Sequence, residues 1–326
     1  RKLGGQKKLD LKRNKNYDYT FTRNAYANYC FENEGIPCQK DNIIKLTLKS
    51  EKDSMSYLVD MLEAIDGTFV KNHFEENMQG GNLYKCLYQG DGPADFSLES
   101  LNSIGIETPD HTPTYDLKTN DDKPDNSILE NLIKELNNDE SIADEFQEKL
   151  ENLIDVDEFL KFSAMCWVIG NPDDMRNNYN NFYTYFRSDN NKAIFIPYDF
   201  DRAFGILKDW PVHTEKIYYN ATYQDLNGSK PQISNPLFYR TFLEASVTKY
   251  KKYEVNKEFM NRYNMYCYEY ANKYLDVQKF QDFTNSFVWC EKDINHDEVG
   301  NLLFKEYVSK KLNVSPKEKN LIKYEK

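Results

Sequence analysis

The chain has 326 residues, enough for a sizeable core in one two-lobed domain or in two domains. Lysine and arginine total 42 against 53 acids, a net charge of −11, which argues against nucleic acid as a partner. No apolar run approaches the roughly 18 residues that a membrane span requires, so no membrane span is expected.

Asp18 to Gly35 has an acidic start, apolar or aromatic residues at Phe21, Ala25, Tyr26, Tyr29 and Phe31, and a glycine stop, which predicts a helix. Ile43 to Leu48 alternates apolar and charged residues as a half-buried strand does, and Ser56 to Leu62 is a second strand ending at Glu63. A short helix from Gly67 to Phe74 leads to the Gly80-Gly81 turn and a third strand, Asn82 to Tyr88, carrying Lys85. Gln89 to Asn126 is rich in Gly, Pro, Asp, Ser and Thr without sustained periodicity, and reads as a long connection with one short helix near Leu98. Helical spacing returns from Ser127 to Leu150 and from Asp157, a capping residue, to Ile169. After the segment Asn171 to Gly205 the chain is mainly helical, with Pro236 to Tyr253 and Lys257 to Tyr274 the clearest helices.

The first residue is Arg1 and no signal-like apolar segment follows, which points to a processed precursor or an excised fragment. The six cysteines, Cys30, Cys38, Cys86, Cys166, Cys267 and Cys290, form no CxxC pair, against a zinc ribbon or a dithiol redox site. Sequons begin at Asn220, Asn227 and Asn313 and the cysteine count is even, which suits a secreted or surface glycoprotein with a Cys30–Cys38 bridge. Chance sequons and buried free thiols are the competing explanation. The histidines His73, His111, His213 and His296 lack metal-ligand spacing, and neither GxSxG nor HExxH occurs.

The chemistry concentrates in NPDDMRNNYNNFYTYFRSDNNKAIFIPYDFDRAFG, residues 171–205. Phe182 to Phe186 and Ala193 to Ile196 predict a hairpin, which brings Asp173 and Asp174 before its first strand together with Asp199 and Asp201 after its second. Acids at that density repel one another unless a cation sits among them, and carboxylates beside carboxamides are what Mg²⁺ binding uses. Ordinary acidic turns and caps are the alternative.

This region resembles the CotH kinase family, the spore coat protein H group with a divergent protein-kinase-like fold. The resemblance rests on Asn171-x-Asp173, on Asn181-Phe-Tyr-Thr-Tyr185 and on Ile196-Pro-Tyr-Asp-Phe-Asp-Arg-Ala-Phe-Gly205, with weaker matches at Glu63-Ala-Ile-Asp66, Leu83-Tyr-Lys85, Tyr115 to Asn120 and Asp155 to Phe159. It implies an α+β, two-lobed fold, with a small mixed N-terminal lobe and linker over residues 1–125 and a larger, mainly helical lobe carrying the hairpin over residues 126–326. It implies Asp173 as the aspartate that orients the acceptor hydroxyl and Asp199 as the metal-binding aspartate. Asn181 and Asn178 are candidate further metal ligands, and Asp201 is either a ligand or a partner of Arg202. Lys85 is the candidate for the nucleotide phosphates, with Glu63 and Arg202 as further nucleotide-site residues. Glu63 precedes the lysine, against the kinase order, and there is no GxGxxG loop, only Gly80-Gly81.

The implied activity is transfer of the ATP γ-phosphate, with Mg²⁺ or Mn²⁺, to a serine or threonine of a secreted or surface protein. The competing class is a catalytically silent binding module, an adhesin or a scaffold component at a cell surface or in a carbohydrate-associated complex such as a cellulosome. A glycoside hydrolase using two of the acids ranks third, because it leaves Asn181, Lys85 and Arg202 without roles.

Overall fold

The computed structural model describes residues 7–13, 18, 20–138, 143–206, 235–242, 256–287, 298–318 and 321. Short polar and apolar alternations in the first sixty residues form one antiparallel sheet. Strand β1 (Leu9–Lys12) pairs with β3 (Ser54–Glu63), which pairs in turn with β2 (Asp41–Lys49). Helix α1 (Arg23–Asn33) lies between β1 and β2 in sequence and packs against α5 (Val156–Ile169). Its start falls five residues after the expected Asp18, yet Asp18 still serves it, because the Asp18 carboxylate accepts the Arg23 N–H at 2.9 Å. Gly35 ends it with φ at 71°.

The second sheet has the order β5-β6-β4-β7-β8, built from β4 (Leu83–Cys86), β5 (Ile104–Gly105), β6 (Tyr115–Leu117), β7 (Phe182–Phe186) and β8 (Ala193–Pro197). The long connection therefore holds two strands that its composition conceals. Tyr115-Asp-Leu117 is too short for periodicity and is a strand only because β4 offers it a ladder. The glycine pair before β4 is a packing turn: an added Cβ at Gly81 would collide with the carbonyl of Phe186.

The helix expected from Ser127 to Leu150 is two helices, α3 (Ser127–Leu136) and α4 (Ala143–Leu153). The Asn137 side chain takes the carbonyls of Ile133 and Phe96, at 2.7 and 2.8 Å, which ends α3. Helix α5 is capped by Asp155 rather than Asp157, and nearly all of its residues are buried. It carries the main apolar core, against β8 on one side and α7 (Lys257–Tyr274) on the other. Helices α2 (Gly67–His73), α6 (Pro236–Phe242), α8 (Val277–Asn285) and α9 (Glu298–Val314) complete the described elements. The remainder of the expected helix to Tyr253 lies outside the described residues.

The architecture is α+β, as expected. None of the buried apolar residues of β1, β2 or β3 belongs to the main core or to the smaller cluster around Phe69 and Tyr185. A charged contact joins the two sheets' ends: Lys12 of β1 bonds to Asp199, two residues after β8. The expected Cys30–Cys38 bridge is not formed: Cys30, Cys38, Cys86, Cys166 and Cys267 are all free, buried thiols, and the Cys38 thiol donates to the carbonyl of Asn28. Cys290 and the sequons at Asn220 and Asn227 lie outside the described residues, whereas Asn313 is exposed at the end of α9. Among the described residues no helix is long and apolar enough to cross a membrane.

Candidate active site

The hairpin forms in the register its sequence requires, with Phe182 opposite Pro197 and Phe186 opposite Ala193. Its outer ends therefore meet, and Asn171 joins them. The Asn171 side chain donates to the Asp199 carbonyl at 3.0 Å and accepts the Asp173 N–H at 3.2 Å, while being completely buried. A single carboxamide thus fixes the backbone of one acidic cluster against the other. The segment holds five non-glycine residues in the left-handed region, Tyr179, Asn181, Asn191, Asp199 and Phe204, with φ between 55° and 60°. Conformations of this kind cost on the order of 1–3 kcal/mol each and persist only where surrounding bonds enforce them.

Asp173 sits in a nest of carboxamides. Asn178 and Asn180 both donate to its Oδ1, at 2.8 and 2.9 Å, and Asn181 donates to its main-chain carbonyl at 2.8 Å. Asn180 in turn accepts the N–H of Tyr88 at 2.7 Å, which anchors the nest to the end of β4. The bonds recorded for Asn178 and Asn181 therefore serve Asp173. Asp174 is turned inward, fully buried, and accepts from Asn177.

Asp199 and Asp201 converge on Lys12, a residue that no motif in the sequence singles out. The Lys12 ammonium bonds to Asp199 Oδ1 and lies 2.9 Å from Asp201 Oδ2. Burial pulls the Lys12 ammonium down, but the two carboxylates outweigh it and hold the lysine above its ordinary value. Strand β1 places Lys12 and Asp10 on one face, because alternate residues of a strand share a side. Leu11, on the other face, is exposed. Beside Lys12 lies Asp60, its register partner on β3, and Asp41 of β2 acts electrostatically on both. Burial, reinforced by repulsion from Asp41, pushes the Asp60 carboxyl upward.

Lys85 is a neighbour of this cluster. Its ammonium lies 4.7 Å from the ring centre of Tyr198, the residue before Asp199. Burial, then Lys118, lowers its pKa against the pull of Asp10, Asp116 and Glu107. The Glu63 carboxylate accepts from His73 Nε2 at 2.7 Å and Asn72 Nδ2 at 3.1 Å, at the point where β3 leaves the first sheet. Arg202 is half-buried within the same turn as Asp201.

Helix α1 holds the far end of the segment. Asn24 accepts the Phe200 N–H at 2.9 Å and donates to Asp41 at 2.8 Å. Arg23, wholly buried and paired with Asp18, donates to the Phe204 carbonyl at 2.9 Å. Neither contact has a local sequence signal, since each spans about 180 residues. For Lys12 a weak signal existed in Lys8, Asp10 and Lys12 alternating with Leu9 and Leu11.

Two carboxylates that already share one cation fit a hard divalent metal, whose oxygen ligands in nucleotide sites are one or two protein carboxylates completed by phosphates. No group of three or more His, Cys, Asp or Glu side chains able to hold a metal occurs among the described residues. A positioned carboxylate, a paired-acid cation site and a strand lysine are together the parts that phosphoryl transfer uses. A family model described as CotH kinase protein matches residues 1–288 of the chain. No curated protein matches it.

Proposed function

The chain belongs to the CotH kinase family, and from that premise we propose that it transfers the γ-phosphoryl group of ATP to a serine or threonine hydroxyl of a protein. The observation that carries this reading is the convergence of Asp199 and Asp201 on one cation, with Asp173 tied to the same backbone through Asn171. Mg²⁺ or Mn²⁺ would be held by Asp199 and Asp201, and when bound it neutralises charge on the nucleotide phosphates.

In this reading Lys12, rather than Lys85, meets those phosphates, which its contact with both acids supports. Lys85, beside Tyr198, is left to the neighbouring wall of the cleft. Asn178 and Asn180 occupy Oδ1 of Asp173, which leaves Oδ2 for the acceptor hydroxyl. In the transfer, the bond from the γ-phosphorus to the bridging oxygen of ADP breaks as the bond to the hydroxyl oxygen forms, and the hydroxyl proton passes to Asp173. Positioning matters more than basicity here, because the transition state of phosphoryl transfer is loose. The acceptor as a secreted or surface protein rests on the sequons, of which Asn313 is exposed.

The test is transfer of label from γ-labelled ATP to a mixed protein substrate with Mg²⁺, comparing the native chain with Asp199→Asn. Label incorporated equally by both would overturn the assignment. A silent binding module draws support from Lys12, which satisfies both acids without any metal. That second reading gains if millimolar ATP with Mg²⁺ produces no thermal stabilisation.

A further inference from the structure

We infer that Tyr307 is a positioning residue that holds both ends of the segment 171–205 in place, which makes helix α9 part of the catalytic unit. The family match ends at residue 288, whereas α9 spans Glu298–Val314. The segment begins after Gly170 and ends at Gly205, both in the left-handed region with φ of 61° and 75°. The same side chain fills the space beside both glycines. A Cβ at Gly170 would collide with the Tyr307 hydroxyl and stand 3.0 Å from its ring carbon Cζ, and a Cβ at Gly205 would stand 3.0 Å from the Tyr307 Cβ.

Tyr307 is buried, and its hydroxyl donates to the Val168 carbonyl at 2.6 Å, in the last turn of α5. That carbonyl is one that the end of a helix leaves without an intrahelical partner. The two ends are also bonded to each other, Phe204 N–H to the Ile169 carbonyl at 3.0 Å. Phe204 packs edge-on to Tyr307 with ring centres 6.0 Å apart, and on Phe304 of the same helix at 5.4 Å. One turn further along α9, the buried Lys311 ammonium lies 4.3 Å from the Trp167 ring centre, which fixes the helix against α5. Asp173 stands three residues from one glycine and Asp199 six from the other. A shift of either end therefore moves one acid relative to the other.

The role assigned to Tyr307 in turnover rests on the phosphoryl-transfer reading, so two independent readouts are needed. Amide hydrogen exchange needs no activity. Tyr307→Ala, and to a smaller degree Tyr307→Phe, which keeps the ring, should accelerate exchange at Phe204 and across the two acidic turns while amides in the middle of α5 stay protected. The second readout is nucleotide affinity with and without Mg²⁺. Tyr307→Ala should weaken binding of ATP with Mg²⁺ about tenfold, leave binding of ATP in chelator unchanged, and lower kcat about 100-fold. Tyr307→Phe should recover most of kcat. Unchanged exchange in both variants overturns the proposal, as does an equal loss of ATP affinity with and without metal. If Tyr307→Ala does not fold, exchange at Phe204 in Tyr307→Phe decides. A native chain that binds no ATP removes the phosphoryl-transfer reading and leaves the clamp to the exchange result.

Discussion

The Lys12 ammonium stands 2.9 Å from Asp201 and bonds to Asp199 as well, so one strand lysine neutralises both acids of the turn that follows the hairpin. The pair would otherwise repel in a setting where both side chains are largely sheltered from solvent. The cation therefore conditions the geometry before any ligand arrives.

Removing that cation should have opposite effects on metal and on turnover. Lys12→Met is expected to lower phosphoryl transfer about 100-fold or more, as loss of one preorganised electrostatic contact does. The same variant should show a larger thermal shift than the native chain with Mg²⁺ alone, because the unshielded acids gain a partner. Lys85→Met should leave the Mg²⁺ shift unchanged. A larger Mg²⁺ shift in Lys85→Met than in Lys12→Met would return the phosphate role to Lys85.

Asn171→Ala removes a carboxamide that joins the backbones of Asp173 and Asp199. It also leaves buried main-chain groups without a partner, for a stability loss of about 1–3 kcal/mol. Turnover should fall by about 10- to 100-fold, as expected when reacting groups lose their mutual position. Steady-state kinetics alongside denaturant melts at several temperatures separates the two effects.

Arg23 and Asp18 form a fully buried pair at the start of α1. Arg23→Met takes a buried counter-charge away from Asp18 and removes the bond to the Phe204 carbonyl. The expected loss is about 3–5 kcal/mol by urea denaturation. The double variant Arg23→Met with Asp18→Asn should regain a substantial part of it, since breaking a buried pair costs more than replacing it. No recovery in the double variant would show that the bond to Phe204, not the stranded charge, dominates.

Asp174 supplies a pH test. Burial pushes its carboxyl up to about 7, against the opposing donors of Asn177 and the charge of Arg176. A pKa raised on folding means that the native state holds the proton more tightly. The contribution is complete below about pH 4 and is lost as pH rises through about 7. Asp174→Asn mimics the protonated form, so its stability should match the native chain near pH 4 and exceed it at pH 8, by up to roughly 4 kcal/mol. Parallel pH profiles of Tm for the two chains would refute the assignment.

Much of the site was legible because its spacing is local. The hairpin follows from two runs of strand-forming residues separated by six polar ones, and a hairpin brings its outer ends together whatever surrounds it. That geometry brings Asp173 and Asp199 together, whereas their separate roles, and Asn181 as a ligand, are what the resemblance to the CotH kinase family implies. Helix boundaries set by competing side chains were less legible: Asn137 divides the run from Ser127 by bonding to a carbonyl of its own helix and to Phe96, 41 residues away. Strand β6 depended on β4 to exist as a strand.

Taken by itself, the sequence determined the α+β class, the family and the acidic hairpin, because period, turn chemistry and short spacing are properties of neighbouring residues. Only the tertiary structure decided which cation serves the acids. Lys12 lies 187 residues from Asp199, and antiparallel pairing of β1 with β3 is what turns its side chain into the cleft. It likewise decided that Glu63 belongs to His73, and that Tyr307 stands between two glycines 35 residues apart. Such pairings are set by how sheets and helices pack, and one strand lysine or one helix tyrosine looks like any other until they do.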